Sequence, residues 1–263
     1  MTDWADPTLL AWRDARGYTV FEAVALAPFP ASLTTLSKPA AFVCINGETY
    51  WCKGNAPNAR VQQGLVAELV AGRLAAKLGV GGPAAIVQVD RKILPADGSL
   101  AHLAGLVLGI RHHPGMEHCR NMQALAGGAP QVRGLIDAAS RAKVVVFQSW
   151  LGAQDAQVMV SLTTGRVISI DHGDCFGNLS ANLSPVVVGI PGVPDADGRD
   201  PSLVDQAVRA VESLTDEDLL EAVCQMPTAE NWNADEARRR RIAEWLAGRR
   251  GQLRRVMEQW SVS

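Results

Sequence analysis

At 263 residues the chain is long enough for one large domain or two packed lobes around a sizeable core. Apolar residues make up 48% and charged residues 20%, which excludes a disordered or fibrous chain. A formal charge of −2 gives no electrostatic case for nucleic acid or an anionic membrane as partner.

The opening stretch, MTDWADPTLLAWRDARG, has no basic segment followed by an apolar one, so no secretory signal is expected. No apolar run reaches the roughly 20 residues of a membrane span. The five cysteines (Cys44, Cys52, Cys119, Cys175, Cys224) lack CxxC spacing and read as reduced thiols in a cytoplasmic protein.

In chain order, DPTLLAWRDARG predicts a short helix opened by Asp6-Pro7 and stopped at Gly17. YTVFEAVALA reads as a strand, and Asn46-Gly47 predicts a hairpin pairing Ala41–Ile45 with Thr49–Lys53. Val61, Leu65, Val66, Leu69, Leu74 and Leu78 recur at helical spacing, with Gly79 closing that helix. AAIVQVD and the run His102–Ile110 read as buried strands, and RHHPGMEHCRNMQALAGGAP as an irregular joint. The joint divides the chain into an N-terminal lobe, 1–111, and a C-terminal lobe, 112–263.

QVRGLIDAASRAKVVVFQSWLG predicts a buried helix, and Val158–Leu162 with Arg166–Ile170 a hairpin around Thr164-Gly165. The Gly-, Pro-, Asn- and Asp-rich segment that follows is loop, and from about Leu203 the pattern is helical, with a Thr215/Asp218 capping box. The run Arg238–Arg241 is flanked by Asp235, Glu236 and Glu244 and reads as a solvated helix face. Arg249, Arg250, Arg254 and Arg255 extend it and could meet an acidic partner, while Trp245 and Trp260 read as core.

Lys53 closes a half-buried strand, and Glu68 stands among apolar residues on the next helix. Burying either charge alone is costly, so each calls for a partner. Asp155 and Asp171 each follow an apolar run, on either side of the predicted hairpin. A strand lysine, a helix glutamate and then two aspartates, in that order, point to phosphoryl transfer. Gly54, Asn55 and Asn58 lie between Lys53 and the helix, where backbone amides at a helix start can hold phosphate; an ordinary turn is the alternative. His112, His113, His118 and Cys119 could ligate zinc, but structural zinc wants a second cluster and adjacent His112-His113 rarely share one ion, so a surface loop is the better reading.

YWCKG, LVAELVAGRLAAKLGVGGPAA and VVFQSWLGAQDAQVMVSL…GRVISIDHG resemble the HipA-like kinases over about Ala41–Gly177, with an uncertain stretch between Arg91 and Val132. The resemblance implies an α+β, two-lobed protein-kinase-like fold, with a β-rich N-lobe carrying one long helix and a mainly helical C-lobe. It implies that Lys53 contacts ATP phosphates, Glu68 anchors Lys53, Asp155 is the catalytic aspartate and Asp171 binds Mg²⁺. The strand His102–Ile110 would lead to the hinge beside adenine.

The family pattern D-R-H-x-x-N stands here as D-A-Q-V-M-V: Ala156 and Gln157 replace the basic pair, and Val160 stands in place of the metal-binding Asn. Asp174 and Asn178 are the candidates to replace that ligand. The activity implied is transfer of the ATP γ-phosphate to a protein Ser or Thr. A nucleotide- or protein-binding pseudokinase, or a small-molecule or lipid kinase on the same fold, are the alternatives.

Overall fold

The computed structural model describes residues 2–4, 6, 8–10, 23–32, 39–54, 59–119, 134–176, 179, 181–186, 188–190, 199–227, 232 and 234–262. Most of the helix expected over Asp6–Gly17, and the start of the first expected strand, lie outside these residues.

Strands β1 (Ala23–Ser32), β2 (Ala40–Cys44), β3 (Thr49–Lys53), β4 (Ala84–Val89) and β5 (Gly105–Arg111) close a barrel in the order β1-β2-β3-β5-β4. The β2–β3 pairing turns on Asn46-Gly47, where Asn46 Oδ1 accepts from the Glu48 amide at 3.1 Å. Alternation along each strand sorts side chains between two cores. On β4, Ala85, Val87 and Val89 fill the barrel with Phe42, Tyr50, Cys52 and Val107, whereas Ala84 and Ile86 face outward.

Helix α1 (Ala59–Leu78) covers that outer face with Leu65, Leu69 and Leu74, all almost fully buried. The expected strand His102–Ile110 starts later than predicted. Ala101–Leu103 forms a 3₁₀ turn that drops Leu103 into the barrel, and the chain passes Gly105 at positive φ before pairing begins.

The second half is built on α2 (Ala138–Leu151), buried along nearly its whole length and capped by Asp137, which accepts from the Ser140 amide at 3.0 Å. Beside it lies a sheet of β6 (Met116–His118), β7 (Gln157–Ser161) and β8 (Val167–Ile170). Strand β6 falls within the stretch expected to be irregular. Its pairing with β7 is what orders it, and such partnering is invisible in so short a segment. The later part of that joint, 120–130, lies outside the described residues.

Helices α3 (Pro201–Glu212) and α5 (Glu236–Ser261) pack against α2, while α4 (Asp216–Val223) lies against α5 and α1. The Thr215/Asp218 capping box forms at the start of α4. The arginines of α5 are only partly a solvated face: Arg241 and Arg255 are exposed, but two others are drawn inside. Arg239 is buried and donates to the Val223 carbonyl at 3.1 Å, and Arg249 donates to the carbonyls of Ser149 (2.6 Å) and Trp150 (2.7 Å). Helix ends leave carbonyls without intrahelical donors and carry partial negative charge, so a guanidinium is well matched to them.

Arg250 bonds Asp216 at 2.6 Å, and Arg254 bonds Asp205 at 2.6 Å together with Glu212. The basic residues considered for an acidic partner are thus met largely inside the molecule. Trp245 and Trp260 are half-buried against the core, Trp245 under the Arg249 guanidinium at 4.2 Å. All five cysteines are buried and free. No helix among the described residues is long and apolar enough to cross a membrane.

Candidate active site

Lys53 is the last residue of β3. Its neighbour Cys52 points into the barrel, so Lys53 points out, toward α1. There its ammonium pairs with Glu68, which is 4% exposed among Leu65, Val66 and Leu69. The same ammonium lies 3.0 Å from Asp171 Oδ1.

Asp171 follows β8 with φ 54°, a left-handed conformation that costs a non-glycine residue energy. Gly173 lets the turn after it lie against α1, where a Cβ would stand 3.3 Å from Glu68 Oε1. Three charged groups from two halves of the sequence thus meet at one point.

Their electrostatics differ. Burial pushes the Glu68 carboxyl up to about 7 despite the pull of Lys53. Burial also opposes charge on Lys53, but Glu68 and Asp171 overcome it and hold the ammonium above the usual lysine range. For Asp171, burial acts upward, yet Lys53 and the hydrogen bond with Glu68 outweigh it and keep the carboxyl below the ordinary aspartate range. Asp171 is therefore an anion at neutral pH, with 43% of its side chain exposed on the open side.

Asp155 is exposed in the loop between α2 and β7. Gln157, the first residue of β7, reaches both aspartates: its Nε2 donates to Asp155 Oδ2 at 2.8 Å and to Asp171 Oδ2 at 3.1 Å. The structure accordingly brings together Lys53, Glu68, Asp171 and Asp155, with Gln157 as the link.

Gly54 is buried, and a Cβ there would come within 2.3 Å of the His102 carbonyl oxygen; this close approach explains a glycine at that position. Asn55, Asn58 and Asn178 lie outside the described residues. Asp174 is exposed in the turn after His172.

Position 160 does not face this cluster, contrary to the sequence alignment of D-A-Q-V-M-V. Strand β7 already starts at Gln157, so Val160 is in mid-strand opposite Val167, with 0% exposure in the hydrophobic core. Alternation puts it on the opposite face from Gln157. The residue that sequence reasoning missed is Gln157 itself. The signal was its place two residues after Asp155, readable only once the strand start is known.

Behind Gln157 lies a buried polar layer. Gln148 Nε2 donates to the Gln157 carbonyl at 3.1 Å and to Ser169 Oγ at 2.8 Å, and Ser169 Oγ meets His172 Nε2 at 2.7 Å. His172 stacks edge-on to Phe147 at 5.8 Å, and burial lowers its pKa to about 4, so it is neutral at pH 7. His118, on β6, approaches Gln157 Oε1 at 3.3 Å.

The zinc grouping considered from the sequence does not converge. His112 Nδ1 accepts from Trp51 Nε1, His118 faces Gln157, and Cys119 Sγ points to the Gly189 carbonyl. Among the described residues no three His, Cys, Asp or Glu side chains are grouped to hold a metal.

A family model described as HipA-like kinase matches residues 32–178. The chain is similar to the crystal structure of the Helicobacter pylori proinflammatory kinase CtkA, with TM-score 0.56 and 12% identity, over 89% of this chain and 95% of that one. It is also similar to hydra Fam20 solved with a sugar, with TM-score 0.48 and 11% identity, over 94% of this chain and 87% of that one. At such identity the likeness to CtkA shows a kinase-like fold and nothing finer. No curated protein sequence matches the chain.

Proposed function

The chain belongs to the HipA-like kinase family, and from that premise we propose that it is an ATP- and Mg²⁺-dependent kinase that transfers the γ-phosphate to a protein hydroxyl. The observation that carries this reading is the joining of one ammonium, Lys53, to both Glu68 and Asp171 at the edge of the barrel. Fixing a lysine through a helix glutamate is how kinases present a cation to ATP phosphates.

In this reading the lobes divide at 111/112, after β5, and the nucleotide lies between them. Lys53 offsets phosphate charge, and Glu68 holds Lys53 in place. The segment 54–58 leads to the start of α1, where backbone amides meet anionic oxygens. The donor set fits a divalent cation: Asp171 is ionised and open, and hard cations take carboxylate oxygens. Mg²⁺, when bound, supplies neutralisation of the charge that develops on the phosphates. Asp171 would hold it.

Asp155 orients the acceptor hydroxyl and takes its proton as the oxygen bonds to the γ-phosphorus and the bond to the β-phosphate oxygen breaks, releasing ADP. Its exposure leaves room for a protein acceptor. Incubation with γ-labelled ATP and Mg²⁺ tests this: label should appear on protein with the parent chain and more slowly by about 10²- to 10⁴-fold with Asp155→Asn.

A second reading, a pseudokinase that binds nucleotide without transfer, is favoured by one observation, the buried valine at position 160. It predicts ATP-dependent thermal stabilisation of parent and Asp155→Asn alike, with no label transferred by either.

A further inference from the structure

The proposed metal site is short of one oxygen donor as long as position 160 is expected to supply it. We propose that Gln157 supplies it: its side-chain carbonyl, turned toward Asp171, is the second protein ligand of the divalent cation. This rests on the kinase reading above and adds to it a ligand that the family pattern does not place at this residue.

Four observations carry it. The Gln157 amide end is 3.1 Å from Asp171 Oδ2. Oxygens on neighbouring corners of an octahedral Mg²⁺ shell, with bonds of 2.0–2.1 Å, lie about 2.9 Å apart, so the spacing suits two ligands of one ion. The position is also fixed by the backbone. Gln157 pairs with Ile170, the residue before Asp171, and Gln148 donates to the Gln157 main-chain carbonyl at 3.1 Å, so neither residue can slip relative to the other.

The third observation concerns the far end of the amide, which lies 3.3 Å from His118 Nε2. An imidazole nitrogen donates or accepts according to its tautomer. With no cation, the amide N–H groups bridge the Asp155 and Asp171 carboxylates and ease their repulsion, and Oε1 accepts from His118. With the amide turned half a revolution about its last bond, Oε1 faces Asp171 and the N–H groups face His118, which then accepts. The turned orientation gives up the hydrogen bond to Asp155, and the bond from Oε1 to the cation offsets that loss. The fourth observation is the core position of Val160, which removes the competing donor.

Binding of Mn²⁺ in the presence of a non-hydrolysable ATP analogue, read by the electron paramagnetic resonance of free Mn²⁺, tests the assignment without recourse to activity. Gln157→Ala should weaken Mn²⁺ binding by roughly 10- to 100-fold, the range seen when a group supporting a metal is lost. Gln157→Glu should bind at least as tightly as the parent, because a carboxylate presents oxygen in either orientation. Asp171→Asn should bind least.

Thermal melting without metal establishes that each variant is folded. If Gln157→Ala is not, the comparison of Gln157→Glu with the parent decides, and weaker binding by Gln157→Glu overturns the assignment. Equal Mn²⁺ affinity of Gln157→Ala and parent, with loss in Asp171→Asn, overturns the Gln157 assignment and leaves the kinase reading standing. A parent chain that binds no Mn²⁺ with the nucleotide overturns both.

Discussion

Lys53 Nζ lies 3.0 Å from Asp171 Oδ1 across 118 residues of sequence, and the contact joins the end of β3 to the turn after β8. Glu68 completes the group from α1. Two carboxylates share one ammonium, so removal of the cation leaves both of them close together in a partly buried place. Lys53→Met should therefore destabilise the metal-free protein by about 3 kcal/mol. In the double variant with Glu68→Gln the loss should be clearly smaller than the sum of the two single losses. Urea unfolding of the four proteins measures this. Strict additivity would mean that the pair does not interact.

Asp155 is exposed and its one protein contact described above is the hydrogen bond from Gln157, so its replacement should leave the fold intact. Asp155→Asn should melt within a degree or two of the parent and bind nucleotide equally. Phosphotransfer should fall by about 10²- to 10⁴-fold, the usual contribution of a positioned base. Parallel thermal-shift and label-transfer measurements separate these effects.

His172 is buried neutral between Ser169 and Phe147. Burial lowers its folded pKa to about 4, against about 6.5 in the unfolded chain, so the unfolded state binds more protons between those values. Its contribution to stability is complete above pH 6.5 and is lost as pH falls toward 4, to a total of about 3 kcal/mol. Glu68, raised to about 7, acts in the opposite sense over much of this range, so the His172 contribution is read as a difference between two proteins. From pH 7 to 4 the unfolding free energy of the parent should fall relative to that of His172→Gln, and identical pH dependence of the two would show that His172 does not titrate on unfolding.

Arg249 seals the end of α2 by donating to the Ser149 and Trp150 carbonyls while lying on Trp245. Arg249→Met should cost about 2–4 kcal/mol, because buried carbonyls lose charged donors. Arg249→Lys should not recover it, since an ammonium lacks the planar fork that reaches both carbonyls. Thermal unfolding of the two variants checks the difference.

Much of this arrangement was readable from side-chain cost alone. A lysine at the inner end of a strand and a glutamate amid leucines each need a partner, and the two stand next to each other in the fold. The β2–β3 hairpin was readable from Asn46-Gly47, and the α4 start from Thr215 and Asp218. Elements fixed by distant partners were not. Strand β6 exists because β7 lies beside it, and Arg239 and Arg249 of α5 are buried because the carbonyl ends of α4 and α2 await them. Gln157 belongs with these. Its place beside both aspartates follows from β7 starting two residues after Asp155, which shifts position 160 into the core, and a linear motif assumes a fixed loop length.

In the proposed kinase the ATP phosphates lie on Lys53. An acyl-phosphate derivative of ATP transfers its acyl group to an amine held beside the phosphates, and peptide mass spectrometry locates the product. Lys53 should be the lysine modified at low reagent concentration, and excess ATP with Mg²⁺ should protect it. Modification spread evenly over Lys77, Lys92 and Lys143 with Lys53 untouched, or labelling of Lys53 that ATP does not diminish, would contradict the account.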